Sequence, residues 1–254
     1  MNELPVKKVS DFLGIIPARY ASTRFPGKPL AMLGAKPMIQ WVYERTSQLF
    51  EHCVVATDDD RILNTVLDFG GKALMTREDH KSGTERCAEA LTLYTDQTAL
   101  TFTHVVNIQG DEPLVQSEQL LSLMDCFNIP GTEIATLVRS MQPDEDPQNP
   151  NLVKAVVDKS LRALYFSRAA IPHVRNRRPE STDYYIHLGL YAYRSDILEQ
   201  IVKLPVSKLE QNESLEQLRW LEHGISIQTD VTYLPSIGVD TPDDLEKIKK
   251  ETHS

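Results

Sequence analysis

No apolar run in the 254-residue chain approaches the roughly 18 residues that a membrane-spanning helix needs. The opening MNELPVKKVSDF has no apolar centre of the kind a secretion signal carries, so a soluble cytoplasmic protein with no membrane partner is expected. Positive charge is scarce too: 27 Lys and Arg stand against 36 Asp and Glu, a formal net charge of -9. That balance argues against a nucleic-acid binder, and any phosphate ligand must be met by local positive charge. There are only three cysteines, Cys53, Cys87 and Cys126, in or beside apolar segments and without a CxxC or Cys/His spacing. They read as reduced structural residues, not as a disulfide framework or a zinc site. Two common phosphate-binding patterns are missing as well. GxxxxGK[ST] fails at Ser22 and Pro29, and GxGxxG occurs nowhere, which removes P-loop nucleotidases and gives a nicotinamide dehydrogenase no anchor.

What is present is a 41% hydrophobic chain, enough for a substantial core. FLGII, CVVAT, KALMT and THVVNI are nearly all apolar and read as strands. KPMIQWVYERTSQLF, RILNTVLDF and a segment from about Thr84 to Tyr94 read as helices between them. Buried strands alternating with helices predict a mainly parallel α/β sheet with helices on both faces. After about Gln142 the texture changes. PDEDPQNPN is a plausible boundary, and VKAVVD, ALYFSR and YIHLGLYAYR read as strands without regular helices between them, a partly antiparallel extension. SLEQLRWLEHG reads as a short helix closed by Gly224, and a last helix opens behind Thr241-Pro242.

In parallel sheets ligands sit beyond the carboxyl ends of the strands. PARYASTRFPGK, ATDDD, TREDHKSGTER and QGDEP each follow a strand and should share one edge. The first carries Arg19, Arg24 and Lys28, a set suited to a triphosphate, although a solvated loop pairing with surface acids fits the spacing equally well. Asp111, held between Gly110 and Pro113, is a candidate ligand for a hard divalent ion; its bland alternative is a turn-forming Asp. Asp240, just ahead of the last helix, reads on its own as a helix cap. Arg77, His80, Ser82, Thr84 and Arg86 surround Gly83 and could hold a base or ribose or simply start a helix, with His80 alone reading as a surface histidine.

In order along the chain, IIPARYASTRFPGKPL, VATDD, MTREDHKSGTER, NIQGDEP, ALYFSRAAIP, HLGLYAYR, NESLEQLRWLE and GVDTPDDLE closely resemble the 3-deoxy-manno-octulosonate cytidylyltransferases, from about Phe12 to Glu246. The resemblance implies a nucleotide-diphospho-sugar transferase-like (Rossmann-like) α/β fold with an inserted dimerisation region. On it, 9–142 with 226–254 form the nucleotide-binding core and 143–225 the sugar-acid-binding and dimerisation region. It further implies CTP and the keto-sugar acid Kdo as substrates, CMP-Kdo and pyrophosphate as products, Mg²⁺ as cofactor, a homodimer and a role in lipopolysaccharide biosynthesis. By motif, Arg19, Arg24 and Lys28 resemble the phosphate-gripping residues, Asp111 and Asp240 the Mg²⁺ ligands, and Arg77 and Ser82 the cytosine segment. Gln109, Arg168, His187, Tyr191, Glu216 and Gln217 resemble the sugar-acid side. Arg175, Arg177 and Arg178 read as a solvated loop. Another keto-sugar acid, 8-amino-Kdo or a sialic acid, or a catalytically silent nucleotide-binding protein on the same fold, are the alternatives.

Overall fold

Strand β1, Phe12–Ala18, is buried at every residue but Pro17, as its unbroken apolar run requires of a strand covered on both faces. A computed structural model describes residues 9–22, 24–175, 184–235, 237–239 and 241–252. Contacts divide the chain into two units, Lys8–Ser117 with Pro235–Ser254, and Glu118–Leu234.

In the first unit β1 leads through the short hairpin of β2 (Met32–Leu33) and β3 (Lys36–Pro37) into α1, Met38–Leu49. There follow β4 (Cys53–Thr57), α2 (Asp60–Asp68), β5 (Ala73–Met75), α3 (Gly83–Thr98) and β6 (His104–Asn107). The strands pair in the order β6-β1-β4-β5, all parallel, with Ile15 opposite both Val54 and Asn107. Side chains alternate across a strand, so Gly14 and Pro17 face opposite sides of the sheet. A methyl group on Gly14 would lie 3.1 Å from the Phe50 ring that follows α1, whereas one on Gly83, at the start of α3, would lie 3.4 Å from the Pro17 ring. Helices α1 and α3 therefore cover the two faces of β1, as the alternating pattern predicts. The helix starts are also those of the sequence in kind: Asp59 caps α2 by accepting from the Arg61 N–H, and Ser82 caps α3 by accepting from the Glu85 N–H.

The second unit contains α4 (Ser117–Asp125), β7 (Ile134–Ser140), β8 (Lys154–Val157), β9 (Ala163–Ser167) and β10 (Tyr185–Arg194). It continues with α5 (Ser195–Ile201), α6 (Lys208–Glu213), α7 (Gln217–Glu222) and β11 (Ile227–Val231). β7 pairs antiparallel with β10 and parallel with β11, while β8 is antiparallel to β10 and β9. The β7–β11 ladder ties 134–140 and 227–231 together within this unit. The short helix expected over SLEQLRWLEHG is α7, which starts at Gln217; Ser214, the first residue of that segment, takes a left-handed φ of 51° and separates it from α6. Helices α5 and α6 follow β10, in a stretch for which the sequence pattern makes no prediction. Gly224, at φ 78°, closes α7 as predicted.

The last helix, α8 (Pro242–Thr252), belongs to the first unit. Its cap is Thr241, whose hydroxyl accepts from the Asp244 N–H while the Asp244 carboxylate accepts from the Thr241 N–H. Leu245 and Ile248 pack with Leu33, Met38 and Val239 in one buried cluster. Ile248 is fully buried, so Ile248→Ala is expected to cost about 2–4 kcal/mol by lost transfer energy plus a cavity. Urea denaturation followed by circular dichroism would show it as a lower midpoint with an unchanged slope.

Candidate active site

The loop after β1 is closed by its own backbone. The Tyr20 carbonyl accepts from the N–H groups of both Ser22 and Gly27, each at 2.9 Å. Gly27 has a left-handed φ of 72°, and a methyl there would also meet the Tyr20 ring at 2.9 Å, so only glycine fits. The chain then turns through Lys28–Leu30 and sends the Lys28 ammonium to the Asp111 carboxylate, 2.6 Å away.

Asp111 is delivered by the segment after β6. The Ile108 N–H bonds the Ile15 carbonyl, keeping this segment beside β1 beyond the last residue of β6. Gly110 then crosses the end of β1 so closely that a methyl on it would stand 2.8 Å from the Pro17 carbonyl oxygen. The Val239 N–H donates to the Asp111 carbonyl at 2.9 Å, which brings the C-terminal segment to the same point. Asp240 lies outside the described residues. Its suggested role as a helix cap is taken by Thr241.

These segments line a cavity of about 280 Å³ at the carboxyl ends of β1 and β6, which Arg19, Arg24, Lys28, Ser82, Gln109 and Asp111 all face. His80, Lys81 and Arg86 line it as well. Among the described residues its wall thus carries five side chains of Lys or Arg and one carboxylate, in a chain that is acidic overall.

The TREDHKSGTER wall is set by α3. His80 is not the surface histidine its neighbours suggest: its side chain is only 4% exposed and is paired with Glu89. Burial alone would raise the Glu89 carboxyl, but the Arg77 N–H and the His80 ring outweigh it and hold the group below its ordinary range. Arg86, also buried, donates to Asp58 and to the Thr76 hydroxyl, each at 2.5 Å. Arg77 does not line the cavity; its exposed guanidinium leans on Asp79 and Glu89. The spacing that could have found His80 and Arg86 is helical: Glu85 and Glu89 rise from successive turns of α3 toward the preceding loop, and the Lys81 N–H donates to Glu85.

The remaining expected residues lie in the second unit. His187 and Tyr191 are four residues apart on β10, about 13 Å in a regular strand, yet their ring centroids are 5.3 Å apart. A bulge between Leu188 and Tyr191 causes this. Trp220 stands edge-on to Tyr191 at 5.2 Å, and Phe166 edge-on to His187 at 4.9 Å. Burial pushes His187 down to about 3 and raises the Tyr191 phenol well above its usual range. Gln217 is 5% exposed, and its amide nitrogen has no hydrogen-bond partner among the described residues. Glu216 accepts from Arg219 at 2.9 Å. The Arg168 guanidinium is spent on backbone, donating to the carbonyls of Glu213 and Pro150 at 2.7 and 2.9 Å. Arg175 is exposed, and Arg177 and Arg178 lie outside the described residues. Among the described residues no group of three His, Cys, Asp or Glu side chains could hold a metal, and no helix is long and apolar enough to cross a membrane.

Comparison with known proteins bears on this geometry. A family model described as cytidylyltransferase matches residues 13–227. The 3-deoxy-manno-octulosonate cytidylyltransferases of Phocaeicola vulgatus and Bacteroides thetaiotaomicron are each 53% identical to the chain. Those alignments cover 93% and 92% of it and 95% of each relative. A solved CMP:2-keto-3-deoxy-manno-octonic acid synthetase, complexed with CTP, superposes with a TM-score of 0.87 at 43% identity, covering 95% of this chain and 98% of that one. A 4-diphosphocytidyl-2C-methyl-D-erythritol synthase from Anaerococcus prevotii shares the fold, with a TM-score of 0.58 at 11% identity over 96% of this chain and 99% of that one.

His187 provides a pH test. Its folded value lies below the ordinary 6.5, so the unfolded chain binds the extra proton first and stability falls as pH drops from about 6.5 toward 3. The full shift would remove about 2 kcal/mol by pH 5; because the residue keeps some exposed surface, about 1 kcal/mol is expected. His187→Gln should lose that much less than the parent between pH 7 and pH 5 in urea titrations, and parallel curves would contradict the assignment.

Proposed function

We propose that this chain, which belongs to the cytidylyltransferase family and within it to the 3-deoxy-manno-octulosonate cytidylyltransferases, transfers CMP from CTP to the anomeric 2-hydroxyl of Kdo and releases pyrophosphate. It is a nucleotidyltransferase on a mainly parallel nucleotidyltransferase-like fold with an antiparallel portion. The observation that carries the reading is the Lys28–Asp111 contact of 2.6 Å on the wall of a cation-rich cavity. It sets a charge suited to phosphate beside a carboxylate suited to a divalent ion.

In this reading the first unit holds the nucleotide. Arg19, Arg24 and Lys28 bind the triphosphate, the arginines as planar forks and Lys28 as a point charge. Ser82, Gln109 and the His80–Arg86 wall enclose the nucleoside. Asp111, together with Asp240, would hold Mg²⁺, which fits one or two carboxylates because this ion keeps waters and shares substrate phosphates instead of needing a full protein cage. When bound, it supplies hard positive charge for phosphate oxygens and lowers the pKa of a coordinated hydroxyl.

His187, Tyr191, Glu216 and Gln217 in the second unit bind the sugar acid. The unspent amide of Gln217 and the aromatic wall around His187 support this, since a hydroxyl-rich ligand needs donors as well as an apolar face. Arg168 acts there by fixing the turn ahead of Glu216. The sugar 2-hydroxyl oxygen bonds to the α-phosphorus, its proton passes to solvent, and the bond from that phosphorus to the bridging oxygen of pyrophosphate breaks. Lys28 and the arginines neutralise the charge that collects on the departing pyrophosphate. The same reading makes the enzyme a cytoplasmic homodimer that supplies CMP-Kdo for lipopolysaccharide assembly.

Pyrophosphate release from CTP and Mg²⁺ with Kdo, 8-amino-Kdo and N-acetylneuraminate, each in turn, tests the reaction. Release with Kdo is expected to exceed that with the other acids, and silence with all three would point to a binding protein. Lys28→Ala should cost about 10² to 10³ in kcat, and near-normal turnover would remove Lys28 from the site.

A further inference from the structure

Tyr20 is the hub of the cationic loop. Its carbonyl closes the loop onto Ser22 and Gly27, and its ring abuts the Gly27 backbone. Arg19 precedes it, and Arg24 and Lys28 lie on either side of Gly27, so this one ring packs against the backbone of the loop that carries all three cations. The ring has another neighbour. The Arg61 guanidinium lies over it, 3.3 Å from the centroid. Arg61 is aimed by Asp59, whose two carboxylate oxygens take its Nε and Nη2 at 2.9 and 2.6 Å.

The bland explanation is an exposed ion pair at a helix start, since Arg61 is 58% exposed and such pairs contribute little. Two observations go further. Arg61 sits in the first turn of α2, where the helix dipole disfavours a cation, so local helix energetics do not account for it. A bidentate fork also fixes the guanidinium plane as a freely moving surface arginine would not be fixed, and a fixed plane stacks on an aromatic face at low entropic cost.

We infer that Asp59 and Arg61 form a clamp on Tyr20 that fixes the cationic loop for the CTP triphosphate, with Arg61 a positioning residue and not a nucleotide contact. Arg61 does not line the cavity. This assignment rests on the cavity being the nucleotide site. An ordered loop binds CTP without first freezing out its own alternatives, so loss of the clamp weakens nucleotide binding and leaves the sugar acid untouched.

The test measures CTP affinity with Mg²⁺ by titration calorimetry, without sugar acid, alongside KM and kcat. Arg61→Ala is expected to raise Kd and KM for CTP about three- to tenfold while kcat and KM for Kdo stay within about twofold. Tyr20→Phe, which keeps the ring, should match the parent, and Tyr20→Leu should match Arg61→Ala. In the double variant Arg61→Ala/Tyr20→Leu the effects should not multiply. Parent-like CTP affinity in Arg61→Ala would overturn the clamp, as would multiplying effects, which would make Arg61 a direct nucleotide contact. Because affinity is read without sugar acid, failure of Kdo transfer in the parent would overturn the reaction and leave the clamp result standing.

Discussion

The approach of Lys28 to Asp111 depends on backbone geometry that no side chain can supply. β1 and β6 must lie side by side and parallel, which their register of Gly14 against Val106 secures. Gly110 must pass the Pro17 carbonyl at a distance that excludes even a methyl group. Gly27 must take a left-handed φ to start the turn that carries Lys28. Remove any of these and the ammonium and carboxylate belong to separate loops. Two glycines and a parallel pairing therefore create the site, and the charged residues inherit their positions.

A chain of net charge -9 can hold cations toward a cavity because its acids fix them in place. Asp58 takes Arg86 and Asp111 takes Lys28. The buried Arg86 pair is expensive to desolvate, and such a pair is better understood as a means of placing a charge than as a source of stability. Scattered basic residues would give a diffuse attraction for any polyanion. A few cations grouped in one cavity, Lys28 and Arg86 among them held by acids, give a local field on an otherwise repulsive surface, which favours a small compact anion over a nucleic acid.

The parts of the structure that sequence could reveal are those set by local chemistry. Apolar runs reveal β1, β4 and β6, and their period against the helices reveals the parallel order. The strand-end loops holding Arg19, Lys28 and Asp111 follow from that order alone. Where a role depends on a neighbour several turns away, the sequence is mute. His80 beside Asp79 and Lys81 looks like surface, yet Glu89 on α3 draws it in. Arg77 looks equal to Arg86 in the same motif, but one faces Asp79 in solvent and the other Asp58 under the cavity wall. Ser214, a single left-handed residue, ends α6 just ahead of the short helix that the apolar spacing of Leu215, Leu218 and Leu221 predicts. Asp240 reads by composition as the helix cap, and only the Thr241–Asp244 exchange shows that Thr241 caps α8.

The second unit solves a different problem with different means. An irregularity in β10 brings His187 and Tyr191 together among aromatic rings, while Glu216 is paired with the buried Arg219. The cations of that region, Lys154 and Arg168, point at carbonyls: Lys154 donates to Asn149 and Arg168, and Arg168 to Glu213 and Pro150. Burial lowers the Lys154 pKa, a cost the chain bears to tie two loops to one strand. Positive charge at Lys154 and Arg168 thus serves geometry. A sugar acid brings one charge and many hydroxyls, and neutral donors on a rigid aromatic wall discriminate among hydroxyls in a way that a field of cations cannot. In the proposed reading, the division between charge for the triphosphate and shape for the sugar follows from what each ligand offers to bind.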